Sequence, residues 1–464
     1  MRFGAGVLAR RAAAVAVAAL LSASLWTPSG GAAVPFAVRV SSPDLVAPGR
    51  VSFDVLTGGL DTSRAETIEG HAVVGGTTIE LPATILASPV DRLAVVLDLG
   101  AGQVWIGGVA AASFTPIPPI GRNTPVNLEI LVRQDGETAI GRQTGLLMLP
   151  VVLVPGYLNE MLGKRQDLLA VFRRRGYRDG GPSPNLFWFK YRSKNLDVEE
   201  TARLLAAYVR DVVLPGAYAS RVNVVGYSAG GLSARWDAAF DPSWARLLNA
   251  LFLVAVPNEG SVMAYLYAWY PAAKLARTRT ARCFLPTYPY WRPTPGAPWQ
   301  IPRGAENVEL ERLNAQPLPD GTRVYVFYGS RPPAAGNSPG TLAAVTGSLP
   351  EAAFLYGAGD GILLSGSVLG QPINGGAEVA GLSSRFTTPV NLGPLDHFAV
   401  LRAAVPRIAE VTAATPRTAD WGISAALDPA RHVWEPFGAA AVWVPGPPVG
   451  YARHARSGRA GSAR

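Results

Sequence analysis

Hydrophobic and polar positions change their rhythm once along this chain. From about Val34 to Met148 the dominant period is two. RVSFDVL (Arg50 to Leu56) and VNLEILV (Val126 to Val132) carry apolar residues at alternate positions, which lines one face of a strand. LAVVLDL (Leu93 to Leu99) is more continuously apolar and reads as a more buried strand. Asp135-Gly136 after VNLEILV is a hairpin signal before another strand near Glu137 to Ile140. No helical period of useful length interrupts this region. Six or seven short strands are expected, forming an all-β sandwich-like domain over residues 34–148. Such a shape implies no function by itself.

At about Leu149 the pattern becomes an alternation of strands and helices. VVLV (Val151 to Val154), NLFWFKY (Asn185 to Tyr191), VNVV (Val222 to Val225), LFLVAV (Leu251 to Val256) and VYVFY (Val324 to Tyr328) read as strands. Between them Gln166 to Arg175, Asp197 to Val213 and Ala229 to Phe240 read as helices, and Phe398 to Ala414 as a terminal one. Asp197, Glu199 and Glu200 in the first turn suit the positive end of a helix dipole. This order predicts an α/β fold, a mostly parallel sheet with helices on both faces, over residues 149–415. Residues 416–464 break into Pro- and Gly-rich sequence and a basic tail.

Composition sharpens the picture in three places. Charged residues are 16% and apolar residues 48%, which excludes a disordered or highly charged chain. The net charge of +9 sits mostly at the ends: Arg2, Arg10 and Arg11 at one, Arg453, Arg456, Arg459 and Arg464 at the other. The body is nearly neutral, so no nucleic-acid partner is expected. Cys283 is the only cysteine, so no intramolecular disulfide can form. With four histidines, a His/Cys zinc site is not expected.

The N-terminus reads as an export signal over residues 1–33. Basic residues to Arg11 precede the apolar run Ala12 to Leu21, and small residues follow. Ten helical residues rise about 15 Å, too little for roughly 30 Å of hydrocarbon. A secreted or extracytoplasmic protein without a stable transmembrane anchor is the expectation.

The candidate chemistry centres on Gly226-Tyr227-Ser228-Ala229-Gly230, a GxSxG pattern. It follows the strand VNVV and opens a helix, the strand–turn–helix of a nucleophile elbow. The small residues at 226 and 230 allow the tight turn to pack. A second copy, Gly336-Asn337-Ser338-Pro339-Gly340, has no adjacent strand. The residue after the nucleophile must donate its N–H to an oxyanion; Ala229 can, and Pro339 cannot. Serine needs a base, and histidine is the natural one at neutral pH. His397, before the terminal helix, is preferred to His432 in DPARHVWEP. The acid should lie between Ser228 and His397 in sequence and after a strand. Asp360 in the Gly-rich YGAGDGILLSGSV is preferred to the turn residue Asp320 and to Asp396, which adjoins the histidine. The second oxyanion donor belongs to the loop after the first sheet strand, Val154 to Leu158, and is Tyr157 or Leu158.

VVLVPGYLNEML, GYSAGG, VPNEGS (Val256 to Ser261), GAGDGILLSGS and LDHF together resemble the lipase and lecithin–cholesterol acyltransferase branch of the α/β-hydrolases. The resemblance covers roughly residues 150 to 412. It implies an α/β-hydrolase fold and acyl transfer or hydrolysis of lipid esters. It also implies Ser228 as nucleophile, Asp360 as orienting acid and His397 as base. The chain departs from that branch in lacking cysteine pairs and long insertions near the first helix. An insertion at about 257–323 holds many aromatics, among them Tyr267, Trp269 and Phe284, and reads as a cap over the serine. Tyr267 and Trp269 are candidate contacts for an apolar acyl chain. The expected partner is an apolar ester, with a lipid surface as one setting for it, and no metal or organic cofactor is expected. Two rivals remain open: an acyltransferase using the same acyl-enzyme, and an inert surface-binding protein.

Overall fold

The computed structural model describes residues 37–41, 44–58, 66–86, 92–134, 136–157, 164–191, 197–261, 283–285, 287, 290–292, 299–301, 307–318, 322–330, 360, 363, 365–371, 379–382 and 387–414. Residues 1–33, expected to be an export signal, and Leu158, Tyr267, Trp269, Asp320, Ser338, most of the insertion and residues 416–464 lie outside the described residues.

Among the described residues ten strands, not six or seven, lie between Ala37 and Leu147: β1 (Ala37–Val40), β2 (Asp44–Ala47), β3 (Arg50–Gly58), β4 (Glu66–Val74), β5 (Thr77–Leu86), β6 (Arg92–Asp98), β7 (Gln103–Ile106), β8 (Val109–Ser113), β9 (Thr124–Gln134) and β10 (Glu137–Leu147). They form two antiparallel sheets. One runs β1-β3-β6-β7-β8 with β2 beside β3, and the other runs β10-β9-β4-β5. Period two is realised in β9, where Val126, Leu128, Ile130 and Val132 are buried and alternate with more open residues. The same alternation holds in β3 and β6. Each sheet thus has one apolar face to bury.

The second half is β11 (Val151–Val154), α1 (Arg165–Arg173), β12 (Leu186–Trp188), α2 (Val198–Tyr208), β13 (Val222–Tyr227), α3 (Ala229–Phe240), α4 (Pro242–Leu247), β14 (Leu248–Val254), the pair β15 (Tyr290–Arg292) and β16 (Trp299–Ile301), α5 (Val308–Asn314), β17 (Arg323–Tyr328), α6 (Ser365–Leu369), β18 (Thr387–Asn391) and α7 (His397–Thr412). Six strands form one sheet in the order β12-β11-β13-β14-β17-β18, and every pair is parallel. Every residue of β11, β12 and β13 is buried whatever its parity. Both faces are therefore covered, which is why these strands read as unbroken apolar runs. Among the described residues no helix is long and apolar enough to cross a membrane.

The long helix expected over Asp197 to Val213 is less regular than its pattern. Asp197 caps α2 by accepting the Glu200 N–H at 2.7 Å. The α-helix ends at Tyr208, and Val209–Val213 winds as a π-helix before Leu214–Gly216. Pro215 has no N–H with which to continue the ladder. The two halves are joined by specific bonds. Asn123 donates to the carbonyls of Thr412 and Ala414 at 2.8 and 2.7 Å, satisfying the end of α7. Its own carbonyl accepts the Leu149 N–H at 2.8 Å. The Tyr218 hydroxyl donates to Ile117 O at 2.6 Å.

Two buried charges on α3 behave differently. Arg235 is 1% exposed and donates to Asn258 Oδ1 at 2.7 Å and to Asn314 Oδ1. Burial lowers its pKa to about 9, while the charge of Glu259 opposes that shift. Asn258 in turn donates to Val368 O at 2.6 Å, so this cation ties α3 to the segment after β14, to α5 and to α6. Arg235→Met is expected to cost about 3–5 kcal/mol, because partners shaped for a cation would stay buried without it. Urea unfolding checks this; a loss under 1 kcal/mol would contradict it.

Asp237 is 5% exposed, and among the described residues its Oδ2 has no hydrogen-bond partner. Burial, with Asp241 and Glu199 nearby, raises its pKa to about 7, against the opposing pull of Arg210 and Arg203. Between about pH 4 and 7 the native state keeps this proton while the unfolded chain releases it. The native state then binds more protons, so this group's contribution to stability falls as pH rises through that window. Asp237→Asn should flatten that fall, melting above the wild type at pH 8 and not at pH 4.5. A melting difference independent of pH would contradict the assignment.

Candidate active site

The three residues singled out as nucleophile, base and acid all follow strands of the parallel sheet. In such sheets ligands bind at the carboxyl ends of the strands. Ser228 follows β13, near the middle of the sheet, and is more open than its neighbours. Its backbone has φ 50° and ψ −125°, a conformation that costs a non-glycine residue about 1–3 kcal/mol. The surroundings enforce it. The Ser228 N–H donates to Val254 O at 2.9 Å, and the Gly231 N–H donates to Ser228 O at 3.0 Å. A Cβ at Gly226 would lie 2.5 Å from the Gly231 Cα, and one at Gly230 2.4 Å from Pro155 O. Gly231 is as constrained: a Cβ there would meet Val256 Cγ2 at 2.1 Å. The tight turn thus needs three glycines, one more than the five-residue pattern names. Ala229 opens α3, and the first N–H groups of a helix have no acceptor within it.

Asp360 and His397 meet although 37 positions separate them. His397 Nδ1 lies 2.7 Å from Asp360 Oδ2. The other carboxylate oxygen, Oδ1, accepts the Leu363 N–H at 2.8 Å. The backbones are tied as well, since the His397 N–H donates to Asp360 O at 2.9 Å and the Asp360 N–H to Leu363 O at 3.0 Å. Both residues are 2% exposed. The Tyr227 hydroxyl reaches His397 O at 3.4 Å, and the two rings are 5.1 Å apart. The imidazole is therefore held at its backbone, at Nδ1 and along one face.

His397 was expected in a loop before the last helix; it is the first residue of α7. Asp396 is the reason. Its side chain accepts the Ala399 N–H at 2.8 Å as the helix cap, which engages that carboxylate away from the ring. Asp320 and Ser338 lie outside the described residues.

Tyr157 and Ala229 form a small buried cluster with Phe284 packed against it. The Phe284 ring meets the Tyr157 ring edge-on at 5.7 Å. Phe284 belongs to the insertion after β14. Its segment is pinned by Asn307, whose amide donates to Cys283 O at 3.1 Å and Leu285 O at 2.6 Å, and by the Ser261 N–H on Phe284 O at 2.7 Å. The Cys283 thiol is buried, and burial pushes its pKa up to about 12, which disfavours the thiolate at neutral pH. Leu158, Tyr267 and Trp269 lie outside the described residues. Among the described residues no group of three or more His, Cys, Asp or Glu side chains is placed to hold a metal ion.

No family model and no curated protein matches the chain. Among solved structures it is similar to the product of gene lin2722 from Listeria innocua, at 12% identity and a TM-score of 0.33, covering 62% of this chain and 96% of that one. It is similar to the metagenomic carboxyl esterase MGS0156 at 16% identity and a TM-score of 0.33, covering 61% and 77%. A sialyltransferase from Photobacterium damsela is similar at 11% identity and a TM-score of 0.23, covering 49% and 44%. At such identities and scores these likenesses carry no argument.

Proposed function

We propose that this chain is a serine hydrolase of carboxylic esters, with Ser228 as nucleophile, His397 as base and Asp360 as the acid that orients it. One observation carries the reading. A serine held in a strained turn between strand and helix shares the sheet's carboxyl edge with a buried histidine whose Nδ1 is paired to a carboxylate at 2.7 Å. The same sites fit the motif order that resembles the lipase and lecithin–cholesterol acyltransferase branch.

The chemistry follows from these roles. With Nδ1–H donated to Asp360, Nε2 is left as the base. It takes the Ser228 proton as Oγ attacks the ester carbonyl. The oxyanion is held by the N–H groups of Ala229 and Tyr157. The imidazolium gives its proton to the departing alkoxide, leaving an acyl-enzyme and a free alcohol. Water, activated by the same Nε2, then releases the acid and restores the serine. Each bond that forms or breaks belongs to the protein, the ester or water.

The substrate class is an ester with an apolar acyl or alcohol part. Phe284 supports this, since it places an apolar wall against Tyr157 and Ala229. The export-like residues 1–33 support action outside the cytoplasm. Purified protein should hydrolyse p-nitrophenyl esters, with kcat/KM rising from acetate to longer acyl chains. Product analysis with an added alcohol is decisive on the acyl acceptor. Free acid as the main product supports a hydrolase, and a new ester in its place makes the protein an acyltransferase. No turnover of any ester would sink the reading.

A further inference from the structure

We propose that Tyr191 is a positioning residue for the oxyanion hole, aiming the Tyr157 N–H by holding the Pro155 carbonyl in the turn just before it. This rests on the ester-hydrolase reading above. The Tyr191 hydroxyl donates to Pro155 O at 2.9 Å and lies 3.4 Å from Gly156 O. Gly156 O and the Tyr157 N–H belong to one peptide unit. That unit is planar and trans, so its C=O and N–H point in opposite directions. Tyr191 lies just beyond β12, on one side of β11, while β13 and Ser228 lie on the other. With Gly156 O on the Tyr191 side, the Tyr157 N–H is turned away from Tyr191, and the bond to Pro155 O holds the peptide before it.

The loop needs such an anchor. Gly156 has no side chain to restrict its own backbone, so the orientation of the next N–H has to be imposed from outside. Tyr191 imposes it from one side, and the first turn of α3 from the other, where Gly230 packs against Pro155 O. The phenol is itself held. Its ring stacks on Phe189 at 5.5 Å with the planes 16° apart, and Phe189 packs on Tyr208. Oxyanion donors act by being aimed before the charge develops, so a loosened donor loses rate rather than substrate affinity.

Tyr191→Phe keeps the ring and removes the hydroxyl. Losing a whole oxyanion donor costs about 10²–10³ in kcat; losing only its aim should cost about 10-fold, with KM within about twofold. A second readout separates positioning from general damage. Sulfur accepts hydrogen bonds poorly, so an oxyanion hole favours an ester over the matching thionoester. That preference should fall about 10-fold in Tyr191→Phe, in step with kcat. Tyr208→Phe, which removes a hydroxyl from the same aromatic group, should change neither. An unchanged kcat, or ester and thionoester slowed equally, would overturn the proposal. Labelling by a fluorophosphonate keeps the two failures apart. A Ser228 adduct with an unchanged preference overturns the role of Tyr191 alone, and a wild-type chain that forms no such adduct overturns the hydrolase reading and this proposal together.

Discussion

Ser228→Ala is expected to lower kcat for ester hydrolysis by on the order of 10⁶, the scale on which a serine hydrolase loses its nucleophile. The methyl side chain leaves the Asp360–His397 pair and the glycine packing of the turn untouched. It cannot form an acyl-enzyme. Ser228→Gly should be equally inactive and yet more stable than the wild type. Its backbone at φ 50° and ψ −125° is one that glycine adopts readily and serine does not, so the strain of about 1–3 kcal/mol is relieved. Inactivity joined to a higher melting temperature is the signature of a turn strained for function. Ser338→Ala should retain near wild-type activity, since Pro339 has no N–H to offer an oxyanion. Ester hydrolysis surviving in Ser228→Ala and disappearing in Ser338→Ala would reverse the assignment.

Asp360→Asn should cost on the order of 10⁴ in kcat with the fold intact. An asparagine here can still accept the Leu363 N–H through its carbonyl, as Asp360 Oδ1 does at 2.8 Å. Its NH₂ then faces Nδ1, where Asp360 Oδ2 now stands at 2.7 Å. An NH₂ donates and cannot accept, so it selects the tautomer with the proton on Nε2. That histidine cannot take the proton of Ser228. Asp396→Asn is the matched control. Asparagine caps helices about as well as aspartate, so the Ala399 bond survives and activity should stay within a few-fold. Equal losses at 360 and 396 would show that general disturbance near His397, and not the tautomer, sets the rate.

Much of this architecture can be read from local pattern. The unbroken apolar runs of β11 and β13 announce strands covered on both faces, and the alternation in β9 announces one apolar face. The excess of strands in the first half traces to turn chemistry that carries a clear signal. Gly75-Gly76 joins β4 to β5 and Gly107-Gly108 joins β7 to β8, all four with positive φ, as a two-residue hairpin turn requires. Reading those pairs as hairpins divides the region into more strands. Asp396 likewise carries a legible capping signal, and it moves His397 from a loop onto α7.

Other parts of the site have no local signal. Tyr227 reaches His397 across 170 positions, and no spacing rule connects them. Leu363 takes part through its backbone N–H, which any residue but proline would supply. Tyr191 and Phe284 read as ordinary aromatics of a strand end and an insertion. Their positions against the loop at Pro155 to Tyr157 come from the folding of the sheet edge and of the segment pinned by Asn307. Period, caps and turns act over a few residues, so they mark elements. Side chains that meet across the fold depend on packing, and these decide how Ser228, His397 and Asp360 are held.

The central claim is that Ser228 is a nucleophile activated by His397 and Asp360. Its most direct test is phosphonylation of the intact protein by a fluorophosphonate, with the adduct mapped by mass spectrometry. A single adduct on Ser228 is expected, absent from Ser228→Ala and formed far more slowly in Asp360→Asn. An adduct on Ser338, or ester turnover with Ser228 unlabelled, would contradict the claim.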